Sequence, residues 1–200
     1  GPRGVRILQA ALRPNIQDDS CQFAEAGYRH VSDLSCLVSL DRSFPTAEPK
    51  SALEFVTYST KGLANLARIV EQTYESSLDC RAIDRQRSID DVLAGYRAIG
   101  QFNESRWLVV RHGEEDIGCL LLADHPDENA CELVYMGLKP VSRGQRFGLE
   151  LVRRAQWLTA QSGRSRLTTA VDAANRPAIA IYEVAQFIEY DRRTVWLRIL

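Results

Sequence analysis

Hydrophobic and polar positions alternate with two periods along most of this chain. Leu53–Ser59 (LEFVTYS) alternates with period two and predicts a strand. Leu63, Leu66, Ala67, Val70 and Tyr74 then fall on one face of a helix. A second helix is predicted in SIDDVLAGYRAIG. Its stripe is Ile89, Val92, Leu93 and Tyr96, Ser88 and Asp91 form a capping pair, and Gly100 is the stop. RWLVVRHGEEDIGCLLLA (Arg106–Ala123) reads as a hairpin turning at Gly113 to Glu115, and ACELVYMGLKP as a third strand closed by Pro140. Phe147, Leu151, Ala155 and Leu158 mark a further helix that stops at Gly163. RLTTAVDA is a strand, NRPAIAIYEVAQ a helix with Pro177 in its first turn, and FIEYDRRTVWLRIL a final pair of strands turning near Asp191 to Arg193. Strand, two helices, three antiparallel strands, helix, strand, helix and two strands make an α/β (α+β) fold. Its sheet is mixed and mostly antiparallel, with helices on both faces.

The first forty residues repeat the end of this pattern. RILQAALRPN (Arg6–Asn15) aligns with RLTTAVDAAN (Arg166–Asn175), and FAEAGYRHVSDLSCLVSL resembles YEVAQFIEYDRRTVWLRI with one residue of slippage. The expected organisation is therefore the last third of a first copy (residues 1–40), a linker with two prolines (41–52), and a complete copy (53–200). Residues 1–40 cannot close a sheet alone. Their exposed edge invites either the second copy or another chain, as in a homodimer.

Composition narrows the function by exclusion. The formal net charge of -1 nominates neither nucleic acid nor an anionic membrane as a partner. The longest apolar run, Ile117–Ala123, falls far short of the roughly 20 residues of a membrane span. Five cysteines without C-x-x-C spacing read as reduced thiols of a cytoplasmic protein, with Cys80 structural. Three scattered histidines argue against a metal site.

The candidate chemistry lies in VSRGQRFGLELVRRAQWL (Val141–Leu158). A helix start offers free N–H groups and partial positive charge, and a glycine-rich turn lets a phosphate approach them. Arg143, Gly144, Gln145, Arg146, Phe147 and Gly148 would present a concave run of such groups after a strand. About thirty residues on comes NRPAIAIYEVAQF, the pattern N-x-x-A-x-x-x-Y-x-x-x-x-F.

With the order of elements over about residues 53 to 200, these paired motifs resemble the GNAT acetyltransferase superfamily, whose co-substrate is acetyl-CoA. Residues 1–40 resemble the arrangement of its tandem members. The resemblance implies a pyrophosphate loop of pattern Q/R-x-x-G-x-G/A, with Arg143 first, Gly148 last, and Arg146 where the middle glycine is usual. Arg146 either keeps its N–H donor at negative φ and adds charge at the phosphate, blocks the approach, or faces solvent on an intact loop. The resemblance places a bulged, splayed strand at Met136, Gly137 and Leu138, whose backbone would hold the pantetheine arm and polarise the thioester carbonyl. It implies Tyr182 as general acid toward the leaving thiolate, Glu132 as the base that deprotonates the acceptor amine, and Asn175 as a helix cap or contact of the CoA arm. Gln186 stands where glycine usually precedes the phenylalanine. Hydroxyls and carboxylates in TYESSLDCRAID (Thr73–Asp84), among them Tyr74, Glu75, Ser76, Ser77 and Asp79, would either receive a cationic amine or form a solvated loop. The expected activity is acetyl transfer from acetyl-CoA to a primary amine, without metal. The competing reading is a non-catalytic acyl-CoA-binding domain, separated from the first by turnover.

Overall fold

The computed structural model describes residues 7–14, 17–79 and 87–200, with the side chains of 17–20 outside the description. Cys80, the following residues to Asp84, and Asn15 lie outside the described residues, so the roles expected of them are not addressed by the fold.

The strands are β1 (Ile7–Leu12), β2 (Arg29–Leu40), β3 (Glu54–Thr57), β4 (Gln101–His112), β5 (Glu115–His125), β6 (Ala130–Leu138), β7 (Arg166–Asp172) and β8 (Ile188–Ile199). The helices are α1 (Gln17–Glu25), α2 (Tyr58–Lys61), α3 (Leu63–Tyr74), α4 (Ile89–Arg97), α5 (Phe147–Gln161) and α6 (Arg176–Val184). All eight strands form one sheet in the order β1-β8-β2-β7-β6-β5-β4-β3, antiparallel except at β6–β7. Alternation along β4 to β6 divides their buried residues between two cores. Leu120, Leu122, Cys131 and Leu133 pack with Leu151, Val152 and Ala155 of α5 and Tyr182 of α6. Trp107, Val109, Cys119 and Leu121 pack on the other face with Leu66, Ile69 and Val70 of α3 and Leu93 of α4. Cys119 and Cys131 are buried free thiols.

Two expectations about the ends of the chain change. Ile188–Ile199 is one long strand rather than a pair. It absorbs the Asp191 region in a register shift opposite Cys36 and Leu37. The opening strand–helix–strand unit and the closing one are interleaved: β2 lies between β7 and β8, and β8 between β1 and β2. Exchanging β1 with β7 and β2 with β8 reproduces the same order read backwards. Ser39 and Leu37 of β2 reach the core shared with α5, where the Gln156 amide donates to Ser39 Oγ at 2.8 Å. The 41–52 connection is not detached either, since Phe44 is buried in that core and Glu48 pairs with Arg154 of α5.

Candidate active site

The single parallel contact creates the site. Between β6 and β7 the register runs only from Ala130 opposite Arg166 to Glu132 opposite Thr168. Beyond it the Thr169 hydroxyl donates to the Leu133 carbonyl at 3.0 Å, and the strands diverge. The register with β5 skips Val134, since Leu121 opposes Tyr135 and Leu122 opposes Leu133. The bulge is therefore at Val134, not at Met136 to Leu138, which pair regularly with β5. An extra residue bends a strand and strengthens its twist, which helps swing β6 away from β7. Gly137 serves a close approach instead, because a Cβ there would sit 2.6 Å from the Thr73 side chain of α3.

The wedge between the strands is a cavity of about 390 Å³. Met136, Gly137, Leu138, Arg143, Gly148, Asn175 and Tyr182 line it, so seven of the residues expected from sequence converge on one space. At its outer end α5 begins. Gly144 has φ +78° and Arg146 φ +64°, and Phe147 is the first helical residue. Among the described residues, no acceptor takes a bond from the N–H groups of Gly144, Gln145, Arg146, Phe147 or Gly148. These are the orphan donors of a helix start. A Cβ on Gly144 would meet nothing within 4 Å, so the approach to them is open. Gly148 lies against α6, where a Cβ would meet Ile181 Cδ1 at 2.7 Å.

Arg146 meets one of its expected alternatives and Arg143 does not. Arg146 is left-handed rather than at negative φ, and its side chain faces solvent. The Arg143 backbone N–H is spent on Pro140 O at 3.2 Å, which leaves the cradle one donor shorter than predicted. Its guanidinium does not turn to the cradle. It donates to the carbonyls of Leu138 (3.0 Å), Ser76 (3.0 Å) and Thr73 (2.8 Å), tying the end of α3 to the end of β6. Gln186, at φ +62°, keeps the turn after α6, with its N–H on Glu183 O and that of Phe187 on Tyr182 O.

Tyr182 is 5% exposed, and burial pushes its phenol up. The nearby Thr169 hydroxyl opposes the shift, and the Asp79 charge adds to it. It therefore stays protonated across the neutral range, the form a proton donor must hold. Asn175 caps α6, its side chain accepting from Ala178 N–H at 3.3 Å. Glu132 does not join them. It lines neither this cavity nor the next, and its Oε2 lies 3.1 Å from His125 Nε2 at the start of β6. Burial raises its carboxyl, as expected for a base, while His125 pulls it down.

A second cavity, of about 610 Å³, lies against α3 and α4 and carries Glu71, Glu75, Asp79 and Arg87. Its wall holds three tyrosines. The Tyr135 ring stacks on Tyr96 at 5.4 Å and meets Tyr74 edge-on at 5.5 Å, and the Tyr74 and Tyr96 hydroxyls are 2.9 Å apart. Both cavities share Ser76, Ser77, Asp79, Val134 and Tyr135. Tyr135, whose hydroxyl lies 2.8 Å from that of Thr73, escaped the sequence reading because it sits on a strand that reads simply as core. No group of three metal-ligating side chains occurs among the described residues, and no described helix is long and apolar enough to cross a membrane.

A mixed sheet opened between two parallel strands, beside a helix start with free N–H groups, is the architecture of acyltransferases of the GNAT type. The profile of the Acetyltransferase (GNAT) family matches residues 70–187, and the chain belongs to that family. Solved structures agree on the fold. A GCN5-related N-acetyltransferase from Sphaerobacter thermophilus superposes with TM-score 0.66 at 16% identity, over 96% of this chain and 59% of that one. The glucosamine N-acetyltransferase region of a fungal multi-domain β-N-acetylglucosaminidase gives 0.64 at 14%, over 94% and 24%. A tandem GNAT protein from the clavulanic acid biosynthesis pathway gives 0.63 at 16%, over 97% and 60%. This chain thus spans less than two thirds of the length of each of these three. No curated protein matches it in sequence.

Proposed function

We propose that the protein transfers an acetyl group from acetyl-CoA to a primary amine. The observation that carries this reading is the run of five N–H groups at the start of α5, opening onto a cleft that ends at Tyr182. The residues present fit an acyl-CoA. The cradle suits a pyrophosphate, and the unpaired edge of β6 from Val134 to Leu138 suits the amide groups of a pantetheine arm. The acyl-CoA supplies an activated thioester. The chain's own residues do the rest. Gly144 to Gly148 hold the phosphates, β6 backbone N–H groups polarise the carbonyl, and Tyr182 gives its phenolic proton to the departing sulfur. The acceptor enters from the tyrosine-walled cavity, whose Glu71, Glu75 and Asp79 favour a cation.

Calorimetric titration with acetyl-CoA, on the wild type and on Arg146→Gly, tests the cofactor half. The wild type is expected to bind, and no binding by either chain would remove the reading. Tyr182→Phe tests the chemical half. It should lower kcat by about 100-fold or more with acetyl-CoA affinity unchanged. Binding without turnover over a panel of primary amines would favour a non-catalytic acyl-CoA-binding domain.

A further inference from the structure

The amine must lose a proton before it attacks, and Glu132 is not placed to take it. Among the described residues one carboxylate lines both cavities, that of Asp79. It lines both together with Val134 and Tyr135 of β6.

Its position is held by a frame. Asp79 Oδ1 accepts the backbone N–H of Asp172 at 2.8 Å, at the far end of β7. Asp172 is itself fixed from two sides. Its Oδ2 accepts from Ser32 Oγ of β2 at 2.8 Å, and its Oδ1 accepts from Ala174 N–H at the entry to α6, also at 2.8 Å. The link bridges the open end of the wedge, from the α3 side of the sheet to the strand that leads into the Tyr182 helix. The field of Asp79 reaches both phenols of the site, Tyr135 and Tyr182. Among the described residues, the charged groups that line the two cavities with it are Glu71, Glu75, Arg87 and Arg143.

We infer that Asp79 is the general base of the transfer proposed above, taking the ammonium proton of the acceptor at the junction of the two cavities. The assignment rests on that reading of the function. The step balances as follows. Asp79 takes one proton from the ammonium and later returns it to solvent. The freed nitrogen lone pair forms the N–C bond, the C–S bond breaks, and its electron pair stays on sulfur. Tyr182 protonates that sulfur, and the second proton shed by the nitrogen restores the phenol.

The test compares benzylamine, an ammonium at pH 7, with O-benzylhydroxylamine, of similar shape and already neutral there. Both suit the aromatic wall. Asp79→Asn keeps the oxygen that accepts from Asp172, so the frame survives, and circular dichroism with acetyl-CoA calorimetry checks this. The variant should lose benzylamine turnover by at least about 100-fold while O-benzylhydroxylamine turnover stays within a few-fold of wild type. Benzylamine affinity, measured by calorimetry on the CoA-saturated chain, should fall several-fold while acetyl-CoA affinity holds. Equal loss with both amines would make Asp79 a positioning residue and overturn the assignment. So would unchanged benzylamine turnover, loss in Glu132→Gln instead, or a wild type that binds acetyl-CoA and turns over neither amine. A wild type that fails to bind acetyl-CoA would instead remove the transferase reading itself.

Discussion

At the scale of single residues, Arg146 and Gln186 make the same departure. Each stands where the family's motif has glycine, and each adopts positive φ, +64° and +62°. Each holds a left-handed backbone without the residue that suits it best. A left-handed L-residue costs about 1–2 kcal/mol, and returning glycine loosens the unfolded chain by about 0.4–1 kcal/mol. Arg146→Gly and Gln186→Gly should therefore each stabilise by up to about 1 kcal/mol. That raises the melting temperature by about 1–3 °C, read by calorimetry or circular dichroism. A fall in melting temperature would show that the side chains hold contacts worth more than the strain. Asp124 offers a pH-dependent case. Hydrogen bonding from Arg164, at 2.7 and 2.9 Å, holds its carboxyl below the ordinary 3.8. A lowered folded value means the stabilisation is present above 3.8 and is lost as pH falls through the folded value. Asp124→Asn should cost about 1 kcal/mol at pH 7, and the difference from wild type should shrink steadily below pH 3.8. The motif glycines were readable as glycines, but their φ values were not. Sequence shows which residue departs from a pattern; only the backbone shows whether the shape departs with it.

At the scale of elements, the wedge depends on a clasp. Arg143 joins the last turn of α3 to the end of β6 through three carbonyls, so one side chain fixes two walls of the cleft. Lysine lacks the planar fork that reaches three acceptors at once. Arg143→Lys should destabilise by about 2 kcal/mol and weaken acetyl-CoA binding indirectly. Because the guanidinium does not face the cradle, the salt dependence of acetyl-CoA affinity should stay at its wild-type slope. A reduced slope would show a direct phosphate contact. The element order from α3 to α6 was legible because amphipathic period is a local property. The bulge at Val134 was not, because a register shift is a relation between two strands and leaves no mark on one. That Glu132 meets His125 and lines neither cavity was hidden for the same reason: its place on a strand could be counted, but its neighbours across the sheet could not.

At the scale of the molecule, the likeness of the first forty residues to the last could be set side by side in sequence, whereas the interleaving of their strands could not be read there. Periodicity carries no information about strand order. In the fold, β2 stands between β7 and β8 and lends Leu37 to the main core. A fragment of residues 41–200 would keep every element of the family pattern and still lose the strand that joins β7 to β8. Expressed alone, it should show no cooperative thermal transition, and adding residues 1–40 as a separate peptide should restore part of it. A cooperative melt of the fragment near the wild-type temperature would show that β7 and β8 can close without β2. Ser32, which braces Asp172 in the site, lies on that same strand. The arrangement also sets a timetable for synthesis. Leu40 ends β2 long before Arg166 begins β7 and Ile188 begins β8, so β2 is made well ahead of both its neighbours. β2 must therefore wait without its neighbours until both β7 and β8 have been made, and the sheet can close only when β8 emerges. A ribosome that stalls between β2 and β8 leaves an open edge exposed to aggregation.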